Sequence, residues 1–181
     1  GMLVKKAMKG HVDLLGPASE VQAELMGIPS FETPDYSELF AEEKEMIGKL
    51  KKAFLMVAGG AVQKYGPDLD GHQQLLMAAA DILIEIYMAE STILRTEKLA
   101  KTKGEAAVKE QIAMAQLYLY KAVDIITQKG KEGIVSFAEG DEQRMMLMGL
   151  RRYTKYTNMP NVIGLREIIT SKLVAENAYC F

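Results

Sequence analysis

The sequence contains no tryptophan, one cysteine and two histidines, and each shortage closes off a class of function. A lone Cys180 has no partner for an internal disulfide, so nothing in the covalent chemistry marks an oxidising compartment and a cytoplasmic address is expected. His11 and His72 do not stand three residues from any glutamate, so the Glu-x-x-His pairs that hold metals inside helical bundles are missing. There is no Gly-x-Ser-x-Gly elbow for a nucleophilic serine, and no Gly-Lys-Ser/Thr follows the adjacent glycines at 59 and 60. With 22 basic and 24 acidic residues the net charge is -2, which leaves no overall field for nucleic acid. The longest nearly apolar run, Leu75 to Leu94, carries Asp81, Glu85 and Glu90, which lipid would have to desolvate, so it reads as a buried helix in water. Gly1 to Gly10 mixes basic with apolar residues and has no separate apolar stretch, so it is not a secretion signal.

What is present points to helices. The composition is 49% hydrophobic but rich in Met (12) over Phe (5), a balance that favours helix packing over strand formation. Residues 1–34 read as an irregular N-terminal arm and linker, with breakers at Gly10, Gly16 and Pro17, a short helix around Ser19 to Met26, and prolines at 29 and 34. Residues 35–181 read as a helical bundle domain. Helix A opens at an Asp35/Glu38 capping box, carries Ile47, Leu50, Phe54, Val57, Ala61 and Tyr65 on one face, and ends at Gly66-Pro67. Helix B starts at Asp70 and Gln73, buries Leu75, Leu76, Ala79, Ile82, Leu83, Ile86, Ala89 and Ile93, and stops near Gly104. Helix C runs from Val108 past Ile126 and is closed by Gly130 and Gly133. Asp141 caps a Met-rich helix D, and Asn158-Met159-Pro160-Asn161 separates it from helix E with Leu165, Ile169 and Leu173. The expectation is an all-α fold: three long antiparallel helices joined by short turns, plus two shorter C-terminal helices.

The adjacent Gly59 and Gly60 inside helix A are unfavourable there unless something compensates, which makes them candidates for close helix packing. A surface approached by a partner backbone or a cofactor is the rival reading. Asp81, Glu85 and Arg95 read as ion-pairing side chains. The clusters Lys5-Lys6-Lys9, Lys49-Lys51-Lys52 and Arg151-Arg152-Lys155 read first as solvated faces. In the arm, however, Leu3, Val4 and Met8 lie beside Lys5, Lys6 and Lys9, a combination suited to membrane or partner contact. Met145, Met146, Met148 and Met159 read as gap-filling core, with docking of a partner as the rival.

The run from Ala80 to Ser91 (ADILIEIYMAES), continuing through Leu94-Arg95-Thr96-Glu97-Lys98, resembles the helical C-terminal extension of the larger acyl-CoA dehydrogenases, the group that includes the mitochondrial very-long-chain enzyme. Gly1 to Gly10 is similar to the stretch after the dehydrogenase body in that group, and Ala138-Glu139-Gly140-Asp141-Glu142 to the turn before its last helices. The resemblance implies an intact flavoenzyme that oxidises the α,β carbon bond of an acyl-CoA, with FAD and a catalytic glutamate in a body outside this sequence. It assigns this chain no catalytic residue, cofactor or metal. It also implies packing against that missing body, homo-oligomer assembly and a peripheral membrane contact. A free-standing helical adaptor is the alternative, and a bundle enzyme completed only on dimerisation is a third.

Overall fold

The computed structural model describes residue 6, residues 13–27 and residues 35–180. Those residues form α1 (Leu15–Met26), α2 (Ala41–Tyr65), α3 (Gln73–Lys103), α4 (Lys109–Phe137), α5 (Gly140–Tyr153) and α6 (Val162–Glu176), with no strand among them. Short 3-10 turns, Gly66–Gly71 and Glu105–Val108, join α2 to α3 and α3 to α4. At ~1.5 Å per residue the three long helices measure about 37 to 47 Å, so they hide their apolar stripes only by lying side by side.

Side-chain pairs fix the directions. Lys44 meets Glu97 at 2.9 Å and Lys51 meets Glu90 at 2.6 Å, so α3 descends as α2 ascends. Asp81 to Lys129 (3.5 Å) and Glu85 to Tyr118 (2.9 Å) run α4 back against α3. Glu43 accepts from Gln116 at 2.6 Å, and the Tyr65 hydroxyl donates to the Ser136 carbonyl at 3.2 Å, which makes α2 and α4 parallel. Met146 packs on Gly60 and Met56 on Gly149, so α5 returns antiparallel to α2. The enclosed seam is made of fully buried Leu50, Val57, Ile82, Ile126, Ile134 and Leu150. The expected antiparallel bundle of three long and two shorter helices is the fold observed.

The boundaries differ where local signals have competing uses. Asp35 does not cap α2: its carboxylate takes the Ser37 amide and hydroxyl at 2.9 and 3.0 Å, and the helix begins six residues later, after a buried Phe40 at φ 63°. Gly130 and Gly133 do not close helix C, which continues to Phe137, because each leaves room for a side chain from across the bundle. Gly16 and Pro17 do not break the arm's helix either. Proline in a first turn forfeits no helical hydrogen bond, and Asp13 accepts the Gly16 amide at 2.9 Å. Leu83, expected on the inner face, is exposed, and Ala78, not expected there, is buried. The cap position of α5 is Glu139, with Asp141 in the first turn and paired to Arg144. Leu14, at the cap position of α1, and Val21 within it join the same core as α2. Asn161 caps α6 by accepting the Gly164 amide at 3.1 Å, yet no residue of α6 is buried.

Candidate functional site

The Gly59-Gly60 pair sits where three helices converge. A Cβ on Gly59 would stand 2.6 Å from the Ala18 Cβ of α1, and one on Gly60 would stand 2.8 Å from the Phe137 ring and 2.9 Å from the Met146 methyl group. Beside them lies an open cavity of about 350 Å³ between α1, α2 and the start of α5. Met145, Met146 and Leu55 give it apolar walls, while Ser19, Gln22, Gln63 and Glu142 are its polar lining; among the described residues no Lys or Arg lines it. A flavin dinucleotide carries a charged pyrophosphate, which needs cationic or helix-terminal amide partners and is repelled by a carboxylate such as Glu142. The described lining thus offers a pyrophosphate no side-chain cation and sets the Glu142 carboxylate against it.

The acidic residues of α3 are engaged within the bundle. Asp81 pairs with Lys129 and Glu90 with Lys51, while Glu85 accepts the Tyr118 hydroxyl. Burial first, and the Glu85 hydrogen bond second, push the Tyr118 hydroxyl up to about 12. Among the described residues no three His, Cys, Asp or Glu side chains gather as metal ligands. His72 stacks on Tyr65 with ring centroids 3.6 Å apart. Cys180 is half-buried.

Several members of the basic clusters are likewise partnered. Lys49 pairs with Glu45, and Lys52 and Arg152 both reach Glu24, at 2.6 and 3.8 Å. Of the arm's contact residues, Leu3, Val4, Lys5, Met8 and Lys9 lie outside the described residues; Lys6 is helical and exposed. No described helix is long and apolar enough to cross a membrane.

One surface went unread in the sequence. The face of α3 opposite its buried side exposes Met77, Leu83, Ile84, Tyr87, Met88 and Leu94, with Tyr87 67% and Met77 60% accessible. At 100° per residue, Ile82, Ile86 and Ile93 point inward while Ile84, Tyr87 and Met88 point nearly opposite. The helix is thus apolar on two sides, with its acidic pairs along the two borders. The available signal was the density of apolar residues between Leu75 and Leu94, which exceeds what a single stripe needs.

Comparison with known proteins places this geometry in context. Residues 49–152 match the family described as acyl-CoA dehydrogenase, C-terminal domain. A probable acyl-CoA dehydrogenase of Bacillus subtilis (strain 168) is 36% identical over 173 residues, which cover 96% of this chain and 29% of that protein. The crystal structure of an acyl-CoA dehydrogenase complexed with FAD from Bacillus anthracis matches all of this chain with a TM-score of 0.90 and 38% identity, and the match covers 30% of that protein's chain. The 181 residues span less than a third of either relative.

Proposed function

Because this chain belongs to the acyl-CoA dehydrogenase C-terminal domain family, we propose that it is the C-terminal helical part of an FAD-dependent acyl-CoA dehydrogenase whose catalytic body lies outside these residues. The observation that carries the reading is the end-to-end match to a flavoprotein of that class at 38% identity, a level at which both fold and lineage are shared. Chemistry within the chain agrees. The α3 carboxylates Asp81, Glu85 and Glu90 are tied to two lysines and a tyrosine, and among the described residues the cavity has no cation for a pyrophosphate or a CoA phosphate. In this reading the flavin and the catalytic base reside in the body, and the bundle contributes packing and subunit assembly to an oxidoreductase of fatty-acid breakdown. The basic arm around Lys6 is the part that would meet an anionic membrane surface.

The test is the polypeptide encoded by the full reading frame, purified beside the 181-residue chain. The longer protein should be yellow and reduce an electron-accepting dye when given an acyl-CoA, and the shorter should do neither. A reading frame without an adjoining dehydrogenase body, or flavin-dependent turnover by the 181 residues alone, overturns the proposal. Pelleting with anionic liposomes, compared between wild type and a Lys5→Glu, Lys6→Glu, Lys9→Glu variant, tests the arm; equal pelleting removes the membrane role.

A further inference from the structure

The outer face of α3 is built as an interior surface and lies uncovered by any described element. Met77, Leu83, Ile84, Tyr87, Met88 and Leu94 form a continuous stripe, each at least 40% accessible. A helix apolar on both sides belongs between two layers, and only one layer is present here. The stripe cannot roll inward to hide itself, because the opposite side of α3 already seats Ile82, Ile86 and Ile93 in the core, and ion pairs mark the register on both flanks: Lys51 to Glu90 and Lys44 to Glu97 on the α2 side, Asp81 to Lys129 on the α4 side.

Two occupants are disfavoured by what borders the stripe and by its size. Between Met77 and Leu94 the helix has no Lys or Arg, and the lysines at the face's borders, Lys51 and Lys129, are already paired with Glu90 and Asp81, so the stripe has little to attract an anionic lipid surface. The 18-residue stripe is roughly 25 Å long and a helix about 10 Å wide, giving about 250 Å². A stable complex buries about 800 Å² per partner, so this face alone does not hold a second copy together. A covalently attached partner escapes that requirement, since tethering raises its effective concentration to roughly the millimolar range. The chain makes up 30% of the solved relative it matches, so in that relative the greater part of the polypeptide lies outside the matched region.

We infer that the Met77-to-Leu94 face of α3 is the seat of the remaining part of the same polypeptide, received as an apolar, largely uncharged helical surface. This rests on the reading of the chain as part of a larger dehydrogenase, and names the face through which it joins the body.

Methionine and tyrosine react rapidly with hydroxyl radicals when exposed, so Met77, Tyr87 and Met88 report directly on cover. Footprinting of the full-length flavoprotein should show all three modified several-fold more slowly than free methionine and tyrosine amides, equally at high and low protein concentration and without lipid. In an Ile84→Lys, Tyr87→Lys variant, Met77 and Met88 should regain reactivity while the flavin absorbance remains. Reaction of Met77 and Met88 at the free rate in the wild-type flavoprotein overturns the inference, as does protection that vanishes on dilution, which indicates a second copy, or appears only with anionic vesicles. A full-length product without flavin instead fails the reading of function, so the two failures are told apart.

Discussion

Gly59 and Ala18 meet with no room between them for one further carbon: a Cβ added to Gly59 would stand 2.6 Å from the Ala18 Cβ. Alanine has no rotamer through which to retreat, so relief requires α1 to shift as a body. The helix-propensity gain of Ala over Gly, about 0.5 to 1 kcal/mol, is outweighed by overpacking at about 1 to 3 kcal/mol, and Gly59→Ala should lower stability. Gly48 lies in the same helix with nothing within 4 Å of its added Cβ. Gly48→Ala should therefore stabilise by about 0.4 to 1 kcal/mol. Urea unfolding of both variants checks the opposite signs, and stabilisation by both would refute the close approach.

Leu150 and Gly130 form a second such fit, here between a flexible knob and a notch. A Cβ on Gly130 would lie 2.7 Å from the Leu150 Cδ1, and Leu150 is 1% accessible. Leu150→Ala should cost about 2 to 5 kcal/mol by opening a cavity. Gly130→Ala in the wild-type background should also destabilise. In the Leu150→Ala background the same change meets no obstacle and should turn neutral or stabilising, a coupling of about 0.5 to 3 kcal/mol in a double-mutant cycle. Additive effects would show that the two residues are not in contact in solution.

These notches explain which parts of the fold were legible in the sequence. Helix number, order and direction follow from apolar spacing and from the turn signals at Gly66-Pro67 and Gly104, because those depend only on nearby residues. Glycine is ambiguous at the same level. Gly104 ends a helix at φ 84°, whereas Gly130 and Gly133 accept side chains from Leu150 and Val57, partners that are remote in sequence. Asp35 carried a capping pattern, but its nearest donor was Ser37. The two-sided character of α3 was hidden because Leu83 and Ile84 look as core-like as Ile82; only the positions of α2 and α4 decide which of them faces inward. Asp81 is the ion-pairing carboxylate it reads as, whereas Glu85 accepts a tyrosine hydroxyl instead, and the partners Lys129, Lys51 and Tyr118 emerge only from the bundle's register.

Acid should weaken the bundle through Glu97 and Glu45. Hydrogen bonds from Lys44 and then Lys101 hold the Glu97 carboxyl below its ordinary value, and Lys49 followed by Tyr36 does the same for Glu45. A carboxylate whose folded pKa is depressed contributes stability above its unfolded value, about 4.3, and loses it as pH falls through the lower folded value. The melting temperature should therefore hold steady from neutral pH to about pH 5 and decline below that. In a Glu45→Gln, Glu97→Gln variant the decline should be shallower, with a lower starting value at neutral pH. Parallel curves for the two proteins, followed by circular dichroism, would contradict the assignment.

Alkali should act through Tyr118, with the opposite sign. Its hydroxyl donates to Glu85 at 2.9 Å between α3 and α4, and burial with that bond raises it to about 12, against about 10 in an unfolded chain. Below about pH 10 both states keep the proton and the stabilisation is complete. Between about 10 and about 12 the unfolded chain releases the proton while the folded chain retains it, so stability falls as pH rises through that window. Tyr118→Phe removes both the hydrogen bond and the titration. The variant should start lower at neutral pH by about 1 to 2 kcal/mol and then fall less steeply than wild type through the alkaline window. Denaturant unfolding at a series of pH values separates the two effects. The same alkaline slope in both proteins would mean that the proton is not held by the bundle, and would detach the Tyr118 hydroxyl from Glu85.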